Sequence, residues 1–165
     1  MRSIIVDSNL YAHEPDKFEG LHKLSSDTLS NLSEYYPGFG QWYAHKVVPG
    51  LKTGERKILL RYIDNRIAGI AILKSTSEEK KLCCLRVLPD FQGSGVGIRL
   101  FAESFKHLET EQPLLSVAEE QFSRFERIFR YFSFEVGNRY EDLYRKKKFE
   151  TSYNGLLDVQ TDIKR

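Results

Sequence analysis

The segment Pro89-Asp90-Phe91-Gln92-Gly93-Ser94-Gly95-Val96-Gly97 constrains this chain more than any other. An apolar, strand-like stretch, Leu82 to Leu88, runs into it, and a helical pattern, Val96 to Leu108, runs out of it. Pro89-Asp90 ends the strand, and glycines let successive backbone N–H groups converge where side chains would obstruct. The positive end of the helix dipole faces the same point. Strand, glycine turn and helix start together make a site for phosphate or pyrophosphate. Two well-known phosphate loops do not fit. A dinucleotide-type GxGxxG beginning at Gly93 requires glycine where Ile98 stands, and a P-loop requires Gly-Lys-Ser/Thr where Gly97-Ile98-Arg99 stands.

The rest of the chain reads as strands and helices in a mixed order. Ser3 to Val6 is a short strand. Phe18 to Leu32 is one or two helices with Leu21, Leu24, Thr28 and Leu32 on a common face. Pro37-Gly38-Phe39-Gly40 breaks the chain, and Gln41 to Val48 is a short helix ended by Pro49-Gly50. Lys57 to Ile63 and Ile67 to Leu73 flank Asp64-Asn65 as a hairpin. The helix Val96–Leu108 has Val96, Leu100, Ala102, Phe105 and Leu108 on its apolar face. Leu114 to Val117 is a short strand and Phe122 to Phe132 an amphipathic helix; Phe134 to Val136 and Glu150 to Leu157 are the last strands. Meandering strands followed by strand–helix alternation imply a mixed α/β (α+β) sheet, mostly antiparallel, rather than a doubly wound parallel one. No linker-like stretch divides residues 1–165, which read as a single domain.

Composition narrows the partners. With 41% hydrophobic and 13% aromatic residues the chain can build a core. A formal net charge of +2 argues against nucleic-acid or membrane binding. The run Arg145-Lys146-Lys147-Lys148 is the local exception, read as a solvated loop or a contact for an acidic partner. His13, His22, His45 and His107 are scattered and no CxxC pair occurs, so no metal is expected. Cys83 and Cys84, adjacent on one strand, should point to opposite faces and form no disulfide. The N-terminus lacks a long apolar signal region, and no apolar stretch reaches spanning length, so a reducing cytoplasm is expected.

Gln92, Gly95 and Gly97 match, position by position, the Gln/Arg-x-x-Gly-x-Gly/Ala loop of the GNAT superfamily of acyl-CoA-dependent N-acetyltransferases. The sequence therefore resembles that family, and the likeness extends from the hairpin Arg56–Lys74 to Ser133-Phe134, where relatives often carry Gly-Phe. The resemblance implies a central sheet flanked by helices and splayed between the Leu82–Leu88 and Leu114–Val117 strands. It implies acetyl-CoA as cosubstrate. The backbone of Gln92, Gly93, Ser94, Gly95, Val96 and Gly97 would hold the pyrophosphate, Leu85, Arg86 and Val87 would meet the pantetheine amides, and Arg99 is a candidate phosphate partner.

The resemblance gives less on catalysis. The tyrosine with which relatives protonate the departing thiolate falls, by counting back from Ser133, on Phe129; Tyr131 is the nearby substitute, with Tyr140 and Tyr144 behind it. A thiol with an ordinary pKa near 8.5 is a tolerable leaving group, whereas an amine near 10.4 needs a base. Glu79 is the candidate base, with Glu119 and Glu120 as others. A backbone N–H near Val87 would stabilise the oxyanion. The acceptor pocket would come from the aromatic stretch Tyr35, Tyr36, Phe39, Trp42 and Tyr43 and from Arg139 to Tyr153. Direct transfer to a primary amine of a small molecule or protein is the leading expectation, in a monomer or homodimer. A non-catalytic CoA-binding domain, and a toxin-like enzyme acetylating aminoacyl-tRNA, are the alternatives.

Overall fold

A computed structural model describes residues 1–162. The element order is β1 (Arg2–Val6), α1 (Ser8–His13), α2 (Pro15–Thr28), α3 (Phe39–Trp42), α4 (Val48–Thr53), β2 (Arg56–Ile63), β3 (Arg66–Ser75), β4 (Lys80–Val87), α5 (Val96–Leu108), β5 (Leu115–Ala118), α6 (Phe122–Tyr131), β6 (Val136–Glu141), β7 (Phe149–Tyr153) and α7 (Val159–Asp162). Strands β1-β2-β3-β4 form an antiparallel four-stranded sheet, and β5-β7-β6 an antiparallel three-stranded one. Among the described residues a single parallel bridge, Lys81 with Leu114, joins the two. The mixed architecture and the splay between β4 and β5 are as expected.

Local chemistry explains most of the boundaries. Asp64 and Asn65 both adopt positive φ, 49° and 61°, the double left-handed turn whose twist matches a tight hairpin. Asp7 caps α1, its carboxylate accepting from the Leu10 N–H at 3.1 Å. Gly54, at φ 90°, terminates α4.

Pro49 does not end the helical segment that contains it. A π-helical turn over Tyr43–Val47 precedes α4, and the Val48 N–H reaches back to the Tyr43 carbonyl. The widened turn carries the ladder past a residue that has no N–H and whose ring crowds the carbonyl a turn before it. The helix therefore runs on to Thr53.

Two faces are also corrected. Leu24 is exposed at 42%, and α2 buries Phe18, His22 and Ser25 instead. On α5 it is Phe101, not Ala102, that is buried. Phe101 sits amid Phe105, Phe125, Phe129, Phe132 and Phe134, with ring centroids 6.0–6.4 Å away. All but Phe105 come from α6 and the segment after it, so the face of α5 that they cover is set by tertiary packing.

The four-stranded sheet separates two cores. One face packs Ile58, Leu60, Ile70 and Ile72 against Phe18, Leu29, Phe39 and Trp42 of the N-terminal helical region. The other packs Leu59, Ala71, Leu73 and Leu82 against Leu100, Phe101 and Phe105 of α5 and Phe129 of α6. A β-bulge where the register shifts at Ile72/Leu73 leaves Cys83 outside the one-to-one pairing of β3 with β4. Cys83 and Cys84 consequently both pack on the N-terminal-helix side, rather than on opposite faces, and remain thiols.

Candidate functional site

Where β4 and β5 part, a cavity of about 890 Å³ opens between them. It passes from one core to the other. Leu85, Phe101, Val117, Phe125 and Ile128 line it on the α5–α6 side; Leu32, Tyr36, Phe39, Trp42, Cys83 and Cys84 line it on the N-terminal-helix side. A ligand lying in the gap can thus enter on one face of the sheet and present its end on the other.

Backbone groups along β4 point into this gap. The Leu88 N–H pairs with Ala68 O of β3, whereas the Leu82 N–H pairs across the split with Leu114 O, each at 2.9 Å. Strand alternation, with the bulge between these points, turns the peptide groups of Leu85 and Val87 away from β3. They are the hydrogen-bonding edge that a ligand threaded through the split would complete. The Gln92 amide donates to Val87 O at 3.4 Å and ties the loop to the end of this edge.

The loop presents a run of backbone amides at the start of a helix, a geometry that suits an anion. Gly93 and Gly95 hold φ values of 77° and 81°, which side-chain-bearing residues rarely adopt, and Gly95 caps the 13-residue helix α5. Among the described residues, no carbonyl or side chain accepts from the N–H groups of Gly93 to Gly97. Gly97 packs closely, its notional Cβ lying 3.4 Å from both Val87 Cγ2 and Ile128 Cδ1. That contact sets the start of α5 against α6.

The structure places the residues singled out from the sequence as follows. Leu85, Arg86, Val87, Gln92, Gly93, Gly95 and Gly97 line the cavity. Ser94 turns inward onto the Phe91 carbonyl, and Val96 is buried in the core. The Arg86 guanidinium lies on the far face, donating to Thr28 O at 2.8 Å at the C-terminal end of α2, where a cation is favoured. Arg99 is not among the lining residues; its guanidinium lies 3.5 Å from Met1 Sδ. Tyr131 stands at the cavity wall, 69% exposed. Phe129 is buried 4.5 Å from the Tyr153 ring.

The carboxylates are sorted differently from expectation. Glu79 sits at the β3–β4 turn, bound to Lys74 Nζ at 2.7 Å, and does not reach the cavity. Glu120 is held by both guanidinium nitrogens of Arg145, at 2.7 and 2.8 Å, and by Lys148 at 3.2 Å. The Arg145 hydrogen bonds pull its carboxyl down to about 2. Glu119 lies 3.8 Å from Lys148. Arg145 and Lys148 of the basic run are thereby engaged within the chain. Glu34 lines the cavity; behind its wall, bonded to lining residues, stands Glu150 of β7, which the sequence did not single out. It is 4% exposed, and its Oε1 accepts from Tyr36 Oη and from Ser116 Oγ, each at 2.8 Å. Both hydroxyl-bearing residues line the cavity. Tyr36 is 114 positions from Glu150, a pairing no local pattern could announce.

The aromatic stretch is divided. Tyr35, Tyr36, Phe39 and Trp42 line the cavity, while Tyr43 is buried and donates to His22 O at 2.6 Å; none of the residues 139–153 lines the cavity. Tyr140 instead accepts from the Leu157 N–H at 3.0 Å, and Tyr144 packs edge-on against Tyr36. Arg124 and Arg127 of α6, also not foreseen, do line the cavity. Among the described residues no cluster of histidine, cysteine and acidic side chains is placed to hold a metal ion, and no helix is long and apolar enough to cross a membrane.

Solved structures with this arrangement are numerous at low sequence identity. A GNAT family acetyltransferase from Elizabethkingia anophelis, with acetyl-CoA bound, aligns over 66% of this chain and 80% of its own with a TM-score of 0.53 and 12% identity. Ribosomal-protein-alanine N-acetyltransferase from Brucella melitensis aligns over 68% and 73%, with a TM-score of 0.54 and 14% identity. Nourseothricin acetyltransferase aligns over 60% of this chain at a TM-score of 0.51 and 16% identity; the chain spans 64% of that protein's length. At such identities these similarities speak for the fold alone. No curated protein matches the sequence. The family model described as "Acetyltransferase (GNAT) domain" matches residues 41–136, more than half of the 165. With the split sheet and glycine loop inside the matched region, the chain belongs to the GNAT acetyltransferase family.

Proposed function

We propose that the protein is an N-acetyltransferase that moves the acetyl group of acetyl-CoA directly to a primary amine of a small molecule or protein. The observation that carries this reading is the passage through the sheet. Anion-binding amides lie on one face, and a buried carboxylate held by two hydroxyls lies on the other. The Elizabethkingia neighbour holds acetyl-CoA, which supports the donor. Other neighbours are named for ribosomal-protein alanine and for nourseothricin, so the fold leaves the acceptor open.

In this reading the amides of Gly93 to Gly97 bind the pyrophosphate. The β4 edge at Leu85 and Val87 takes up the pantetheine and carries the thioester to the split. The amine, on the Tyr36–Trp42 side, attacks the carbonyl carbon, and the Val87 N–H faces the oxygen that becomes negative. As the C–N bond forms, the nitrogen becomes acidic. Its proton passes to Tyr36 or Ser116, whose own proton moves to Glu150. The C–S bond then breaks and the thiolate departs with the electron pair; Tyr131, the tyrosine on the donor side of the cavity, is the candidate to protonate it. Glu79 has no part in this scheme. The adjacent thiols of Cys83 and Cys84 suit a reducing cytoplasm.

Calorimetric titration with acetyl-CoA tests the donor half, beside a Gly95→Glu variant that places bulk and negative charge in the cradle. Binding by the parent and none by a folded variant is expected, followed by amine-dependent release of free thiol in an acceptor screen. A folded parent that binds no acetyl-CoA would overturn the reading. Binding without turnover of any protein or small-molecule amine would leave a CoA-binding domain.

A further inference from the structure

Resting on the donor assignment above, we propose that Arg124 and Arg127 of α6 form a subsite for the phosphomonoester on the ribose of the CoA nucleotide. The protein would then discriminate acetyl-CoA from its 3′-dephospho form.

The geometry begins at Gly97. Its contact with Ile128 fixes which face of α6 looks onto the pyrophosphate cradle. Arg124 lies one turn before Ile128 and three residues before Arg127, and all three line the cavity. Residues at these spacings share a helix face. Because the glycine loop and this face line the same cavity, a ligand whose pyrophosphate sits on the amides of Gly93 to Gly97 can place its nucleotide beside this face.

Among the described residues, the α5–α6 wall of the cavity carries both arginines and no carboxylate. Neither Arg124 nor Arg127 has a hydrogen-bond or ion-pair partner among the described residues, whereas Arg130 on the same helix is paired with Glu126 at 2.8 Å. Among the residues lining the cavity the only carboxylate is Glu34, which belongs to the N-terminal helical region and not to the α5–α6 side. Two like charges three residues apart cost a helix some stability. Here no internal acid offsets that cost, and a dianion would. Guanidinium forks also match phosphate oxygens in a way an ammonium does not. Arg99, on α5, is turned toward Met1 and does not compete for this role.

The test compares acetyl-CoA and 3′-dephospho-acetyl-CoA by calorimetry on the parent, on Arg124→Gln, on Arg127→Gln and on the double variant. Both positions are exposed on a helix and glutamine is a good helix former, so the fold should survive. The parent should bind acetyl-CoA about 10- to 100-fold more tightly than the dephospho form, as expected for charge-assisted hydrogen bonds to one phosphate. The double variant should lose that preference by weakening on acetyl-CoA alone. Equal affinity of the parent for the two donors, or equal weakening of both in the double variant, would overturn the subsite while leaving the donor assignment standing. Failure of the folded parent to bind either donor would overturn both.

Discussion

Glu150→Gln is the perturbation that bears most directly on the proposed chemistry. Glutamine keeps an oxygen where Tyr36 and Ser116 donate, so shape is retained while the proton sink is removed. A positioned base contributes typically about 10²–10⁴ in rate, or roughly 2.7–5.4 kcal/mol of barrier. Because Glu150 acts through a hydroxyl, a loss near the lower end, about 100-fold in kcat/KM, is expected. Stability should also fall. Two hydrogen bonds to a charged group, each contributing about 1.5–3 kcal/mol, become neutral ones of about 0.5–1.5 kcal/mol, so the variant should lose roughly 1–3 kcal/mol. For a chain of this length that is a Tm decrease of about 2–12 °C, which leaves a folded protein to assay. Thiol release would be followed from pH 6 to 9 at saturating acetyl-CoA, once an acceptor is in hand. Calorimetry would verify that acetyl-CoA affinity is unchanged, since Glu150 lies on the opposite face from the cradle. The variant's loss should persist across that whole range. Tyr36→Phe and Ser116→Ala should show which hydroxyl carries the proton. A folded Glu150→Gln protein within threefold of the parent at every pH would refute the relay.

Other expectations concern stability. Phe101→Ala removes the ring at the centre of the aromatic cluster, 1% exposed, and should cost about 3–5 kcal/mol, a Tm loss of about 6–20 °C by thermal melt. Gly137→Ala places a methyl group onto the Gly155 carbonyl oxygen and 2.5 Å from Ser152 Oγ, where the β6–β7 pairing shifts register. Urea denaturation should show a loss of about 1–3 kcal/mol or more, and an unchanged midpoint would contradict the packing described. Glu120 is held near 2 by Arg145, below its unfolded value near 4.5. Its contribution to stability is therefore complete above about pH 4.5 and lost as pH falls toward 2. Glu120 is exposed and Arg145 half-buried, so solvent screens the pair and Glu120→Gln should flatten the acid limb by no more than about 1 kcal/mol in acid-titration melts.

Much of the fold was legible because the signals were local. Asp64-Asn65 announces its hairpin through two residues that tolerate positive φ, and Gly93 and Gly95 announce the turn before α5 because its positive φ values favour glycine. The helix Val96–Leu108 has the bounds its periodicity gives. Elsewhere a local rule met a stronger tertiary one. Pro49 reads as a stop, yet the π turn before it carries the helix to Thr53. Cys83 and Cys84 read as facing opposite ways, yet a bulge turns both to one side. Ala102 fits the helical stripe of α5, but the rings of α6 cover Phe101 instead.

The chemistry divides along the same line. Binding a phosphate chain needs backbone donors from consecutive residues, and a contiguous glycine motif encodes that by itself. Moving a proton or holding a remote phosphate needs side chains from different elements within hydrogen-bond reach. Tyr36, Ser116 and Glu150 become neighbours only when the N-terminal helical region, β5 and β7 close around the split sheet, just as Arg124 and Arg127 share a cavity with the glycine loop only because α6 packs beside the start of α5. The sequence alone determined the family and the glycine loop before α5. The polar groups on the other face of the split were decided by packing, because hydrophobic burial sets which distant elements adjoin and therefore which polar groups face one another.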